Sequence, residues 1–316
     1  MKDTLPQRVA VIGGGVMGVD IAAIFCAAGM PVEIMEPDRA RWDAANARLA
    51  ESVRQLNPSS PAAPARIVAS LDELGWAQVD LVVECAPENL ELKRGVFASL
   101  VRLARPDTVI TSNSSSYPVS EIARGLPTQG RMLGLHFFMP AHLIPAVEVI
   151  KSESTPETLW SRIGELVCAL GKKPVMVAKD IPGFVANRLQ HALMREAWSL
   201  MNQGLAGPED IDAAVKFGFG LRYLAAGPVL QKDLAGLDIH CAAATSVYPT
   251  LANDDAPPQA LRDKVSQGKL GMKTGEGFYR WTPESAAAER ARYERVLIAA
   301  LAVQKTDEPQ KNGQNG

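Results

Sequence analysis

Between residues 9 and 177 the chain carries eight short, nearly unbroken apolar runs, and these constrain its fold more than any other feature. They cover 9–12, 32–35, 67–69, 81–83, 109–111, 132–135, 147–150 and 175–177, each rich in β-branched residues and bounded by Gly, Pro, Asp or Asn. A strand with one wet face alternates apolar and polar residues. Runs this continuous belong to strands buried on both faces, as in a parallel sheet covered by helices. Between the first two runs, residues 15–29 (GVMGVDIAAIFCAAG) read as a helix closed by Gly29. The β–α–β alternation predicts an α/β fold with a doubly wound, mostly parallel sheet.

The texture changes after Asp180-Ile181-Pro182-Gly183. From there Val185, Leu189, Ala192, Leu193, Ala197 and Leu200 follow helical spacing, with Asn187, His191 and Arg195 together on the opposite face. Residues 208–217 and 286–303 also read as helices, and strand-like runs nearly vanish. The expected organisation is a strand-rich domain over 1–182, an all-helical domain over 183–304, and a disordered tail over 305–316, rich in Gln, Asn, Gly and Lys.

Composition narrows the function classes. A net charge of −2 without a basic run gives no pull toward nucleic acid or an anionic membrane. Cys26, Cys85, Cys168 and Cys241 lie far apart, which argues against a zinc site and a disulfide framework and fits a reducing cytoplasm. No stretch reaches membrane-span length, and the first residues are too short in apolar content for a signal peptide.

Gly13-Gly14-Gly15-Val16-Met17-Gly18 satisfies G-x-G-x-x-G. Alone the pattern is common; here an apolar strand precedes it and an apolar helix continues from it. Gly13 permits the tight turn, Gly15 lets backbone approach a pyrophosphate, and Gly18 lets the helix pack on the strand. Glu36 closes the second run, 18 residues after Gly18. A carboxylate there accepts hydrogen bonds from ribose hydroxyls and repels a 2′-phosphate, so NAD is the expected cofactor. Arg39 and Arg41 follow closely and leave NADP as the open alternative.

His136, one of four histidines, ends the sixth run and so falls at the carboxyl edge of the sheet, where such folds bind ligands. Hydride transfer from an alcohol needs a base for the hydroxyl proton, and imidazole suits that task. Glu148 lies inside the next run, AVEVI, where a carboxylate is costly unless paired. A His136–Glu148 dyad explains both residues. A hydrogen-bonded core histidine with Glu148 pointing outward is the alternative. Residues 111–117 (TSNSSSY) follow another run, making Ser115 and Asn113 candidates for the substrate oxygen or the nicotinamide; a polar turn capping the next helix is the bland reading.

The motifs VIGGGVMGVDIA, ECAPENLELKRGVF, SNSSSYPVSEIA, HFFMPAHLIPAVEVI, DIPGFVANRL and GKLGMKTGEGFYRW, in this order, resemble the 3-hydroxyacyl-CoA dehydrogenase family over nearly the whole chain. The resemblance implies a Rossmann-type domain followed by a helical domain that usually mediates dimerisation, in the setting of fatty acid metabolism. It implies His136 as catalytic base with Glu148 as partner, and Ser115 and Asn187 in the substrate site. It places Ala86, Glu88, Lys93 and Asn113 with Gly13, Gly15, Val16, Met17, Gly18 and Glu36 among the cofactor residues.

Two departures bear on the substrate. The family usually has Asn three residues after the histidine, where this chain has Met139. The acyl-CoA enzymes carry a longer, lysine-rich excursion after the second strand, whereas residues 37–65 contain no lysine and include NPSSPAAPA. Residues 217–228 (FGFGLRYLAAGP) resemble the branch holding L-gulonate 3-dehydrogenase (lambda-crystallin), carnitine dehydrogenase and a pyridine-carboxylate dehydrogenase. Those enzymes take free, compact hydroxy acids. Arg222 in that segment suits a substrate carboxylate; a surface arginine is the alternative. His191 joins Met139 and Arg222 among the substrate candidates, while His142 and His240 read as structural. The leading expectation is NAD-dependent oxidation of an L-3-hydroxy acid or its CoA thioester; the rival is an NADH-binding protein without catalysis. No metal site and no nucleic-acid or membrane partner is expected.

Overall fold

The computed structural model describes residues 5–57 and 62–306, which form two compact units meeting between Arg188 and Leu189. Residues 58–61 of the proline-rich stretch and 307–316 of the expected tail lie outside the described residues.

All eight apolar runs are strands: β1 (Val9–Ile12), β2 (Val32–Met35), β3 (Ala65–Val68), β4 (Leu81–Glu84), β5 (Val109–Ser112), β6 (Met132–Phe137), β7 (Ala146–Ile150) and β8 (Lys173–Val177). They form one sheet in the order β3-β2-β1-β4-β5-β6-β7-β8. Pairing is parallel throughout except between β6 and β7, which are antiparallel. Only residues 138–145 join that pair, too few for the crossover helix a parallel neighbour needs.

Alternate residues of β1 to β6 serve two separate cores, while Ile150 of β7 and Val177 of β8 pack with Phe184 in a third. Val9 and Val11 face a layer built from α1 (Val16–Ala27), α2 (Trp42–Leu56) and the later helix Glu157–Ala169. Ala10 and Ile12 face α3 (Leu90–Leu103) and α4 (Val119–Ile122). Burial on both faces explains the unbroken apolar runs of β1, β2 and β4 to β7, whereas the edge strands β3 and β8 are only partly buried and depart from that expectation because each lacks a neighbour on one side. The strand order reverses beside β1, so its carboxyl edge against β4 is the switch-point crevice where ligands of such sheets bind.

The helix from Glu157 to Ala169 is α5, and α6 (Ala186–Asn202) leads out of the first unit. The second unit is helical: Pro208–Ala213, a π-helical stretch Ala214–Phe219, Gly220–Arg222, Pro228–Ala235, Leu237–Val247, Gln259–Ser266 and Pro283–Thr306. The helix expected over 208–217 thus changes pitch after Ala213. The only β-pairing among its described residues is the pair of isolated bridges Gly271–Glu276 and Glu276–Arg280. No helix among the described residues is long and apolar enough to cross a membrane.

Candidate active site

The glycine turn connects β1 to α1 under tight steric constraint. Gly13 has φ +114°, and a Cβ there would sit 2.6 Å from the Cys85 carbonyl oxygen. A Cβ on Gly18 would lie 1.9 Å from the Gly13 carbonyl oxygen. Gly15 differs: its Cβ direction is open, with Arg41 Nη2 at 3.8 Å the nearest atom. Gly15 is also the N-cap of α1 and gives no side-chain cap, so the first-turn N–H groups near Val16 and Met17 are free to meet an anion.

Glu36, just beyond β2, is buried and accepts the Gly14 N–H at 3.1 Å and the Asp38 N–H at 3.1 Å. Arg41 stands 3.6 Å from it. Each carboxylate oxygen keeps a second lone pair for a ribose hydroxyl. An open glycine face, an uncapped helix start and an acceptor at the end of β2 fit a dinucleotide with a free 2′-hydroxyl.

The next strands extend this edge. Glu84 ends β4, fully buried, and Lys93 in the first turn of α3 is buried beside it; Asn89 caps that helix by accepting the Leu92 N–H. Lys93 Nζ donates to both Glu84 oxygens (2.9 and 3.2 Å) and to the Ala86 carbonyl (3.0 Å), and lies 3.4 Å from Glu88. Ser112 Oγ donates to Glu84 from the end of β5. Glu88 Oε1 accepts from the Ser114 and Ser116 hydroxyls and the Ser115 and Ser116 amides. Partial burial alone would raise its pKa, but these serines and Lys93 bring it down to about 2. Asn113 Oδ1 accepts the Phe137 N–H at 2.8 Å, tying β5 to the end of β6.

His136 sits one residue from the end of β6, with its ring edge-on to Phe138 and near Phe184. Antiparallel register puts it directly opposite Glu148 on β7, and Nδ1 is 2.8 Å from Glu148 Oε2. The other Glu148 oxygen accepts the Val185 N–H (2.9 Å) and the Ala186 N–H (2.8 Å) at the start of α6. Burial would raise the Glu148 pKa; the hydrogen bonds from His136, Ala186 and Val185 outweigh it and hold the group below the usual carboxylate range. An ionised carboxylate only accepts, so the Nδ1 facing it carries a proton, and in the neutral ring Nε2 is the nitrogen with the lone pair. Asn187, the second residue of the same helix, donates from Nδ2 to the Ser115 carbonyl at 2.9 Å.

The first unit therefore brings together His136, Glu148, Ser115, Asn187, Asn113, Ala86, Glu88 and Lys93 along one edge, with Gly13–Gly18 and Glu36 at its other end. Met139 follows His136 and is 66% exposed. His191 and Arg222 lie in the second unit, both exposed. Three groups escaped sequence reasoning: Glu84, Ser112 and the buried Asp20. Asp20 in α1 binds Arg48 bidentately (2.8 and 2.8 Å), accepts from Ser52, and lies 3.1 Å from His142 Nδ1. A Glu at a strand end eight to ten residues before a lysine was the available signal for the first of these. No cluster of three or more metal-capable side chains occurs among the described residues.

Comparison with known proteins gives the family. Residues 8–181 match the model for the 3-hydroxyacyl-CoA dehydrogenase NAD binding domain, and 183–281 match that for the C-terminal domain. The 5-formyl-3-hydroxy-2-methylpyridine 4-carboxylate 5-dehydrogenase of Mesorhizobium japonicum is 36% identical over 299 residues, covering 93% of this chain and 96% of the relative. Human mitochondrial hydroxyacyl-coenzyme A dehydrogenase is 34% identical over 295 residues, covering 89% and 93%. Among solved structures, the pyridine-carboxylate 5-dehydrogenase described as an NAD+-dependent dismutase superposes with TM-score 0.91 at 32% identity, covering 95% of this chain and 99% of that one. (S)-3-hydroxybutyryl-CoA dehydrogenase from Ralstonia eutropha gives 0.69 at 30% identity, covering 88% and 100%. The chain belongs to the 3-hydroxyacyl-CoA dehydrogenase family, whose members here are NAD-dependent dehydrogenases acting on CH–OH groups.

Proposed function

We propose that the chain interconverts an alcohol and a carbonyl on a free, compact, carboxylate-bearing substrate, with His136 as the general acid and base. The observation that carries this reading is the His136–Glu148 contact at 2.8 Å. The Gly13–Gly18 turn, the start of α1 and Glu36 hold NAD, and Ala86, Glu88, Lys93 and Asn113 line its nicotinamide end. NAD, when bound, supplies the two-electron acceptor for the hydrogen on the alcohol carbon.

His136 Nε2 takes the hydroxyl proton, because Glu148 keeps the other ring nitrogen protonated. The imidazolium that forms is stabilised by Glu148, which stays ionised. Ser115 and Asn187 position the substrate oxygens. In the reverse direction the imidazolium returns its proton to the carbonyl oxygen.

The choice of a free acid over a CoA thioester rests on two features. Residues 37–65 hold no lysine for a CoA phosphate, and the fold likeness is 0.91 to the pyridine-carboxylate enzyme against 0.69 to the hydroxybutyryl-CoA enzyme. A formylpyridine carboxylate is flat, small and anionic, and an exposed methionine at 139 suits it better than an amide. Arg222, for the substrate carboxylate, and His191 complete the proposed substrate residues. We take the functional domains as 1–182 for NAD and 183–304 for substrate and dimerisation. Exposed Val229 and Leu234 on helix Pro228–Ala235 support a homodimer, and four free cysteines support a cytoplasmic setting.

The test is an NAD-reduction screen of the purified protein against 3-hydroxybutyryl-CoA, free hydroxy acids, carnitine, gulonate and aromatic alcohols or aldehydes bearing a carboxylate. Turnover of a free acid is the expected result. Activity confined to the thioester overturns the substrate assignment and restores a place in fatty acid metabolism.

A further inference from the structure

The ionisable groups along the carboxyl edge fall into two poles. Glu84, Lys93 and Glu88 stand at the ends of β4 and β5; His136 and Glu148 stand between β6 and β7. Within the first pole, Glu84 and Lys93 neutralise each other at 2.9 Å, both buried. Glu88 is the surplus anion, kept ionised by the Ser114–Ser116 turn.

The sheet order fixes what passes over this pole. A dinucleotide held by the glycine turn at β1 and reacting with an alcohol at His136 on β6 must cross the ends of β4 and β5, which lie between them. Its nicotinamide therefore lies on the Glu88 side of the reacting alcohol.

We propose that Glu88 sets the preference of the site between the two redox forms of its cofactor, favouring cationic NAD+ over neutral NADH and opposing the pull of Glu148 on the imidazolium. Oxidation of the alcohol would pass its carbon-bound hydrogen to the nicotinamide as a hydride, carrying two electrons in all, and its hydroxyl proton to His136 Nε2. One positive charge thus leaves the Glu88 pole and one appears at the Glu148 pole, with the total unchanged. Each carboxylate stabilises the cation at its own end, and the difference between them sets the balance of the bound reaction. Without Glu88 the site would lean toward the carbonyl and NADH. This inference rests on His136 being the base, but its test reads binding rather than turnover.

The full-length protein and Glu88→Gln would be titrated without substrate against NAD+, NADH and ADP-ribose, by calorimetry and nicotinamide fluorescence. The expected result is that the dissociation constant for NAD+ rises about fivefold relative to that for NADH, the effect of one elementary charge several ångströms away at an intermediate dielectric. ADP-ribose, which lacks the ring, binds as it does to the unaltered protein. Equal weakening of all three ligands would show that Glu88 merely holds the serine turn, and overturns the proposal; so does an unchanged NAD+/NADH ratio. Ser116→Ala is the second variant, decisive even if Glu88→Gln fails to fold. It removes a hydroxyl donor from Glu88 at an exposed position while keeping the charge, so preference for NAD+ should rise. A fall or no change also overturns the proposal. Loss of turnover in a His136 variant is scored separately, so either reading can fail alone.

Discussion

His136 and Glu148 face each other in direct register across the antiparallel seam between β6 and β7, with Nδ1 2.8 Å from Oε2. The pairing arises because the eight-residue connection over 138–145 is too short to bring β7 in parallel. A strand reversal thus supplies the orienting carboxylate, and the same carboxylate fixes the first turn of α6 through the Val185 and Ala186 amides.

The pair predicts different failures for its two members. His136→Gln should cut turnover by about 10²–10⁴-fold, the usual worth of a positioned proton acceptor, while NADH binding survives. Glu148→Gln keeps an oxygen for the α6 amides but turns an NH2 toward Nδ1, which moves the ring proton to Nε2 and removes the base. Turnover should fall by about 10³–10⁴-fold, as it does when a histidine is held in the wrong tautomer. Steady-state rates with fluorescence-monitored NADH binding check both; retained turnover in either variant refutes the assignment.

Much of this was legible in the sequence, and the reason is local. Strands buried on both faces spell themselves as unbroken apolar runs, which made β1, β2 and β4 to β7 readable; the edge strands β3 and β8 are only partly buried and were found by their short β-branched runs alone. Gly13, Gly18 and Glu36 were readable because their spacing along the chain is also their geometry. Glu84, Ser112 and Asp20 were not, because their partners are spatial. Lys93 meets Glu84 only once α3 folds back on β4, and Asp20 meets Arg48 only when α1 packs on α2. His142 read as structural, and its burial between Asp20 and Gln55 agrees.

Removing Lys93 tests the buried pair. Lys93→Met leaves fully buried Glu84 without its cation, and breaking such a pair costs about 3–5 kcal/mol. Adding Glu84→Gln to Lys93→Met should recover most of that loss, since no fully buried charge is then left unpaired and Glu88, partly exposed, keeps its serine donors. Urea unfolding of the single and double variants measures it. Additive losses in the double variant would show that the pair is not coupled.

Stability should fall on the acid side. Glu88 at about 2, and Glu148 and Asp20 held below their ordinary values, all bind protons less readily folded than unfolded. For Asp20 and Glu148 burial pushes upward, and their hydrogen-bond and ion partners outweigh it. Such groups stabilise the fold fully above their unfolded pKa, near 4, and lose that contribution as pH drops through the folded one. Asp180, raised by burial despite the Ser120 amide, works in the opposite sense. Melting temperature should hold from pH 7 to about 5 and decline below about 4.5. Glu88→Gln should flatten the decline, and an acid limb identical to that of the unaltered protein would count against the Glu88 network.

The glycine turn offers the sharpest separation of fold from binding. Alanine at Gly18 would drive its Cβ to 1.9 Å from the Gly13 carbonyl, a backbone atom with nowhere to go, so Gly18→Ala should unfold or strongly destabilise the first unit. Alanine at Gly15 meets nothing closer than the end of Arg41 at 3.8 Å, and Gly15 has φ −72°, which any residue adopts. Gly15→Ala should therefore melt within about 1 kcal/mol of the unaltered protein, in keeping with an N-cap glycine exchanged for alanine. Its methyl group nevertheless occupies the face where a pyrophosphate approaches the backbone, so NADH affinity should drop by about tenfold or more, the loss of one charge-assisted hydrogen bond or its equivalent in steric exclusion. Calorimetric melting paired with NADH titration reads both quantities on one sample. Unchanged NADH affinity in Gly15→Ala would place the phosphates elsewhere than over this turn.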